Sequence, residues 1–119
     1  MTLEQEISVT LQNMGIPAHI LGYQYVREAI KMSVRDFDKI NLVTKSLYPD
    51  VAKKFKTTPS RVERAIRHAI ESASTRDKAL QRIFRNNKPT NSEFIATIAD
   101  GIRLEREGGV SNVRASERA

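Results

Sequence analysis

The sequence predicts an all-α domain of about six helices containing a helix-turn-helix, and three observations carry that reading. Apolar residues recur at helical spacing through most of the chain, while no stretch of useful length alternates apolar and polar residues as a half-buried strand would. A strongly two-faced stretch, TTPSRVERAIRHAIE at residues 57–71, follows a short apolar helix after a very tight turn. With 119 residues the chain is the size of one ordinary domain. We expect residues 1–107 to form that domain and residues 108–119, GGVSNVRASERA, to be a disordered polar tail.

The elements follow in order. Residues 3–14, LEQEISVTLQNM, set Leu3, Ile7, Leu11 and Met14 on one helical face, with Gly15 as the stop. IPAH connects to a second helix, LGYQYVREAIKMSVRD, in which Tyr23, Val26, Ile30 and Val34 repeat as a face; Tyr23 and Tyr25 are expected to divide between core and surface. Asp38 can cap a third helix over Lys39 to Leu47, after which Pro49 forces a restart, and Val51, Ala52 and Phe55 give the next short helix its buried side. After the turn at Lys56 and Thr57, Thr58 is the expected N-cap of the quoted helix. Pro59 then takes the first helical position, where a missing N–H costs nothing; Ser60 with Glu63 offers a capping box in a second register. Residues 77–85, DKALQRIFR, predict a short basic helix with Leu80, Ile83 and Phe84 inward. NNKPTN reads as loop, and Asn91 or Ser92 caps a last helix, SEFIATIADGIRLERE, built on Phe94, Ile95, Ile98, Ile102 and Leu104.

Composition excludes several function classes. No run of about 20 apolar residues could span a bilayer, and MTLEQEISVTLQ carries acids where a signal peptide would carry bases, so no membrane partner and a cytoplasmic, nucleoid-associated location are expected. Cysteine is absent, which removes disulfides, thiolate metal sites and a cysteine nucleophile together. His19 and His68 lack the paired spacing of a helical zinc motif, and His19 reads as a structural or exposed residue rather than a base. No glycine-rich phosphate loop, carboxylate pair or activated nucleophile is present, so the expectation is a protein that is not an enzyme and uses no cofactor.

Charge is concentrated rather than general. The chain carries a net +6, yet Lys53 to Lys88 alone hold 11 Lys and Arg against 3 acids, and the remainder has 9 bases against 11 acids. Within that region Val62, Ala65, Ile66, Ala69, Ile70 and Ala73 fall in one arc of the quoted helix, and Arg61, Arg64, Arg67, His68 and Glu71 fall opposite. A short helix, a tight turn and a second helix with a basic outer face describe a helix-turn-helix, in which the second helix, here about 59–74, enters the major groove of double-stranded DNA. Arginine suits that task because its planar fork donates two parallel hydrogen bonds to guanine O6 and N7. Glu63 could accept from cytosine N4 or orient a neighbouring arginine; equally, Glu63 with Arg67 is an i,i+4 pair that would stabilise a merely solvated helix. The turn carries Lys56 and Thr57 where such turns often carry glycine. Lys88 and Asn91, ahead of the last helix, are phosphate candidates that a plain loop and cap explain equally well.

Three long segments, GIPAHILGYQYVREAI, LYPDVAKKFKTTPSRVERAIRHAIE and KPTNSEFIATIADGIRLE, resemble the DNA-binding effector domain of the master sporulation response regulator of endospore-forming bacteria. They stand in the right order and cover most of residues 5–107. The resemblance implies base reading by Arg61, Glu63, Arg64, Arg67 and His68, with Arg64 and Arg67 the foremost guanine contacts. Lys53, Lys54, Lys56, Thr57, Thr58, Ser60 and Lys88 are the phosphate-binding set that position and charge add. It further implies tandem dimers on DNA, contact with RNA polymerase and sigma factor, and action as activator at some promoters and repressor at others. Two departures stand beside it. That family joins the domain to an N-terminal receiver, for which 119 residues leave no room, so an isolated effector domain or a regulator freed from phosphorylation control is expected. The connection ESASTRDKALQRIFRNN is shorter than the family's and lacks its tryptophan and glycine-containing turn, which leaves a protein-interaction module without specific DNA reading as the alternative.

Overall fold

The computed structural model describes residues 1–74, 78–84 and 88–108, and every element in them is helical. In chain order these are α1 (Leu3–Asn13), α2 (Leu21–Arg35), a 3₁₀ segment (Phe37–Leu42), a π turn (Val43–Leu47), α3 (Tyr48–Lys54), α4 (Pro59–Ser74), α5 (Lys78–Ile83) and α6 (Asn91–Arg106). The expected tail from residue 109 onward lies outside the described residues.

Local chemistry sets the boundaries of α1. The Thr2 hydroxyl accepts from the Gln5 amide at 3.1 Å while the Gln5 side chain accepts from the Thr2 amide at 2.8 Å, closing a capping box. At the other end Gly15 takes φ +84°, and the Ile16 amide donates back to the Leu11 carbonyl at 3.1 Å, so α1 ends in a Schellman turn on the predicted glycine.

α2 is the central helix and packs against α1, α3, α4 and α6. Tyr23, Tyr25, Val26, Ala29 and Ile30 are all buried, so the tyrosines do not divide between core and surface as expected. Each has a local reason. The Tyr23 hydroxyl accepts from Gln12 at 3.0 Å and its ring lies under Arg27, while the Tyr25 ring meets Phe55 of the turn at 5.2 Å.

α2 and α4 approach closely at Gly22. A β-carbon placed on Gly22 would lie 2.1 Å from the Ala65 carbonyl oxygen and 2.9 Å from the Ala69 β-carbon. Glycine on one helix and alanines on the other therefore let the two backbones touch, and the arc of Val62, Ile66, Ala69 and Ala73 is wholly buried against α2 and its neighbours. α5 and α6 add Leu80, Phe94, Ile95, Ile98 and Ile102 to the core, with Phe84 stacked on Phe94 at 5.8 Å. Leu104, expected inward, is 42% exposed, because it follows Ile102 beyond the inner stripe of α6.

Two boundaries depart from the sequence reading. Residues 39–47 do not make an α-helix capped by Asp38. The Asp36 carboxylate instead accepts from the Asp38 amide at 3.2 Å, a 3₁₀ segment follows, and the chain widens through the π turn straight into α3. Pro49 does mark the start of a new α-helix, as expected: it sits in the first turn of α3, where no intrahelical donor is required, although α3 follows the π turn without a break. The last helix is capped by Thr90 rather than by Asn91 or Ser92: its hydroxyl accepts from the Glu93 amide at 3.1 Å, and the Glu93 side chain accepts from the Thr90 amide at 3.2 Å.

Substituting Gly22→Ala drives a methyl into a backbone carbonyl that cannot rotate away, so we expect a loss of about 1–3 kcal/mol or more. In thermal unfolding this appears as a fall in Tm on the order of 10 °C; an unchanged Tm would contradict the contact.

Candidate nucleic-acid interface

The turn between α3 and α4 is built by its backbone. The Thr57 amide donates to the Ala52 carbonyl at 2.9 Å and the Lys56 amide to the Lys53 carbonyl at 3.4 Å, which is the same Schellman pattern that ends α1. Here the left-handed position is Lys56, at φ +54°. A lysine thus stands where glycine would be less strained, and it projects a cation from the tightest point of the helix-turn-helix.

α4 starts as the sequence predicts. The Thr58 hydroxyl accepts from the Arg61 amide at 3.3 Å, its carbonyl accepts from the Val62 amide at 3.0 Å, and Pro59 opens the helix. With Val62, Ile66 and Ala69 buried, helical geometry puts Arg64 on the crest of the outer face, Arg61 and His68 on one flank, and Glu63 and Arg67 on the other. Arg61, Arg64 and His68 are exposed, and their side chains make no hydrogen bond or ion pair among the described residues. Arg67 differs: its Nη1 lies 3.4 Å from Glu63 Oε1, the i,i+4 pair that the sequence allowed.

The phosphate candidates separate in the same way. Lys53, Lys56 and Ser60 are exposed with no side-chain partner among the described residues, and Lys88 is exposed beside the Arg67 flank. Lys54 instead turns toward α2, where its Nζ lies 3.0 Å from the buried carboxylate of Glu28, which also faces Lys31 at 4.0 Å. Thr57 is half-buried, and the Thr58 hydroxyl is occupied as the cap.

Asn91, which the sequence offered as a cap or a phosphate ligand, meets Tyr48, which the sequence did not place at this surface, on the Arg67 flank. Asn91 Nδ2 donates to the Tyr48 hydroxyl at 2.9 Å and to the Glu63 carbonyl at 3.1 Å, joining the starts of α3 and α6 to α4. Burial holds the Tyr48 phenol above its ordinary pKa; the Asn91 donor acts against that shift, and Glu63 and Arg67 pull in opposite directions. A cleft of about 450 Å³ opens beside them, with Ile70 and Pro89 on its walls and Arg67 and Lys88 among its charged groups. No group of three or more metal-ligating side chains gathers among the described residues, and no described helix is long and apolar enough to cross a membrane.

The family model described as "Sporulation initiation factor Spo0A C terminal" matches residues 7–102, a span that contains all six α-helices apart from the outer turns of α1 and α6. The chain belongs to that family. It is accordingly an all-α, helix-turn-helix DNA-binding domain of the response-regulator effector kind, acting in transcription regulation and sporulation, and the family is one of DNA-binding domains rather than enzymes. Family membership gives the helix-turn-helix a DNA partner. Arg61 and Arg64 on the second helix of that motif, Lys56 in its turn and Lys53 at the end of its first helix are exposed without a side-chain partner among the described residues.

Because Lys56 holds a left-handed backbone, Lys56→Gly should relieve strain there, less the extra freedom glycine has when unfolded; we expect a gain of about 0.5–1 kcal/mol. Urea unfolding with an unchanged m-value checks this, and a loss of stability would contradict the turn geometry.

Proposed function

We propose that the chain is a sequence-specific reader of double-stranded DNA that regulates transcription, with α4 in the major groove and Arg61, Glu63, Arg64, Arg67 and His68 facing the bases. The observation that carries this reading is the condition of Arg61 and Arg64, both exposed on the opening turns of α4 and without a side-chain partner among the described residues. A solvated face has no use for two planar forks held free beside a short turn; guanine O6 and N7 do. Arg67 reaches a base by exchanging Glu63 for it, or works with Glu63 as a pair. Lys53, Lys56, Ser60 and Lys88 form the phosphate-binding rim, and Thr57, Thr58 and Lys54 support it from the turn and from α3. Residues 1–107 act as one DNA-binding unit and 108–119 as a tail beyond it. Pairing of copies in tandem on DNA and contact with RNA polymerase and sigma factor extend the same reading, as does work at the nucleoid in the cytoplasm.

Fluorescence anisotropy with a labelled duplex carrying TGTCGAA, an element of the kind the resemblance to the sporulation-regulator family suggests, and a scrambled control tests it. The wild type should prefer the element by roughly 10³-fold, and Arg64→Ala should erase discrimination at one position. Equal affinity for both duplexes would overturn base reading, and binding of neither would favour the protein-interaction alternative. With roughly six to eight phosphates neutralised, log K should fall against log salt with a slope of about −5 to −7, and Lys53→Ala should weaken both duplexes alike and flatten the slope by about one. An element-selective loss in Lys53→Ala would contradict its phosphate role.

A further inference from the structure

We propose that Asn91 is a positioning residue for base reading: its carboxamide ties the Glu63 carbonyl on α4 to the Tyr48 hydroxyl at the start of α3, and so sets the pose of the Glu63 and Arg67 flank. The inference rests on the base-reading role proposed above. Its geometry comes from three elements far apart in sequence. Asn91 is the first residue of α6, Tyr48 the first of α3, and Glu63 lies one turn into α4. The two contacts, at 2.9 and 3.1 Å, use both protons of one amide nitrogen.

The orientation of the amide follows from its partners. A backbone carbonyl can only accept, so the nitrogen and not the oxygen must face Glu63. That carbonyl has a second lone pair beyond its helical hydrogen bond, so the tie needs no distortion of α4. Asn91 is available for it because Thr90 and Glu93 cap α6 between themselves. Tyr48 is a firm anchor, being only 7% exposed.

The consequence lies on one residue. Glu63 is held through its carbonyl by Asn91 and holds Arg67 through its carboxylate at 3.4 Å, so rigid contact with α6 passes directly to an arginine on the outer face. Gly22 fixes α4 from the opposite side, at Ala65 and Ala69. Without the Asn91 tie, α4 keeps its buried face of Val62, Ile66 and Ala69 and its seat at Gly22, but the Glu63 flank loses its polar link to α3 and α6 and can tilt.

The test uses Asn91→Ala and Tyr48→Phe, both neutral changes that leave the net charge and the phosphate rim untouched. Affinities for the TGTCGAA and scrambled duplexes, the salt slope, and single base-pair variants of the element are measured for the whole chain. Asn91→Ala should lower the preference for the element about tenfold, as does losing one base contact. Affinity for the scrambled duplex and the salt slope should hold, with the loss confined to one or two adjacent base pairs. Tyr48→Phe, which keeps the ring in place, should move the same positions by a smaller factor, and carries the test if Asn91→Ala does not fold. Equal weakening on both duplexes would reduce Asn91 to a stability residue and overturn the proposal, as would an unchanged preference in both variants. A wild type without preference would overturn base reading itself, and the positioning role with it.

Discussion

Backbone contact between α2 and α4 at Gly22 is the constraint on which the rest depends. With 2.1 Å between the Ala65 oxygen and the place a β-carbon would occupy, α4 lies too near the central helix for any side chain at position 22. This depth lets Val62, Ile66 and Ala69 bury completely, and it fixes the rotation of α4 about its own axis. Rotation matters because the opposite face is the one that carries Arg61, Arg64 and His68. A side chain at position 22 would lift α4 away from α2 and disturb α3 with it, since α3 packs on both.

Around that seat the basic residues fall into two groups. Lys54 and Arg67 have carboxylates, Glu28 and Glu63, and so belong partly to the scaffold. Lys53, Lys56, Arg61 and Arg64 are exposed without a partner among the described residues. Surface ion pairs contribute little to stability, about 0–1 kcal/mol, so the difference concerns placement more than folding. Paired cations are held at defined points of the helix-turn-helix, whereas the unpartnered ones keep their full hydrogen-bonding capacity for an anionic partner. The left-handed Lys56 belongs with the second group: a residue type that costs strain in the turn is also an exposed cation there.

Much of this was legible in the chain. The apolar spacing of α1, α4 and α6, the Thr58 and Pro59 start and the Gly15 stop are local patterns that one helix imposes on its own residues. The helix-turn-helix was readable because the apolar residues on each side of Lys56 and Thr57 define two faces only a few residues apart. What escaped depends on contacts made elsewhere. The burial of both Tyr23 and Tyr25 follows from neighbours on both sides of α2, at Gln12 and at Phe55. The 3₁₀ and π segments replace one predicted helix because the chain there must turn around Asp36 and still reach Pro49 in the first turn of α3. Asn91 read as a cap or a phosphate ligand, since nothing nearby in sequence reveals that Tyr48 and Glu63 converge on it. Gly22 carried no signal either, because a single glycine in a helix shows its purpose only against the alanines of another.

Whether the exposed arginines of α4 read guanine edges, as proposed, is tested by replacing single guanines of the TGTCGAA duplex with 7-deazaguanine, which removes the N7 acceptor and leaves base pairing intact. Base reading predicts that wild-type affinity falls about tenfold at one guanine, the one proposed for Arg64, while Arg64→Ala is indifferent to the same substitution. A wild type indifferent at every guanine, or an Arg64→Ala variant that loses as much as the wild type at each of them, would contradict it.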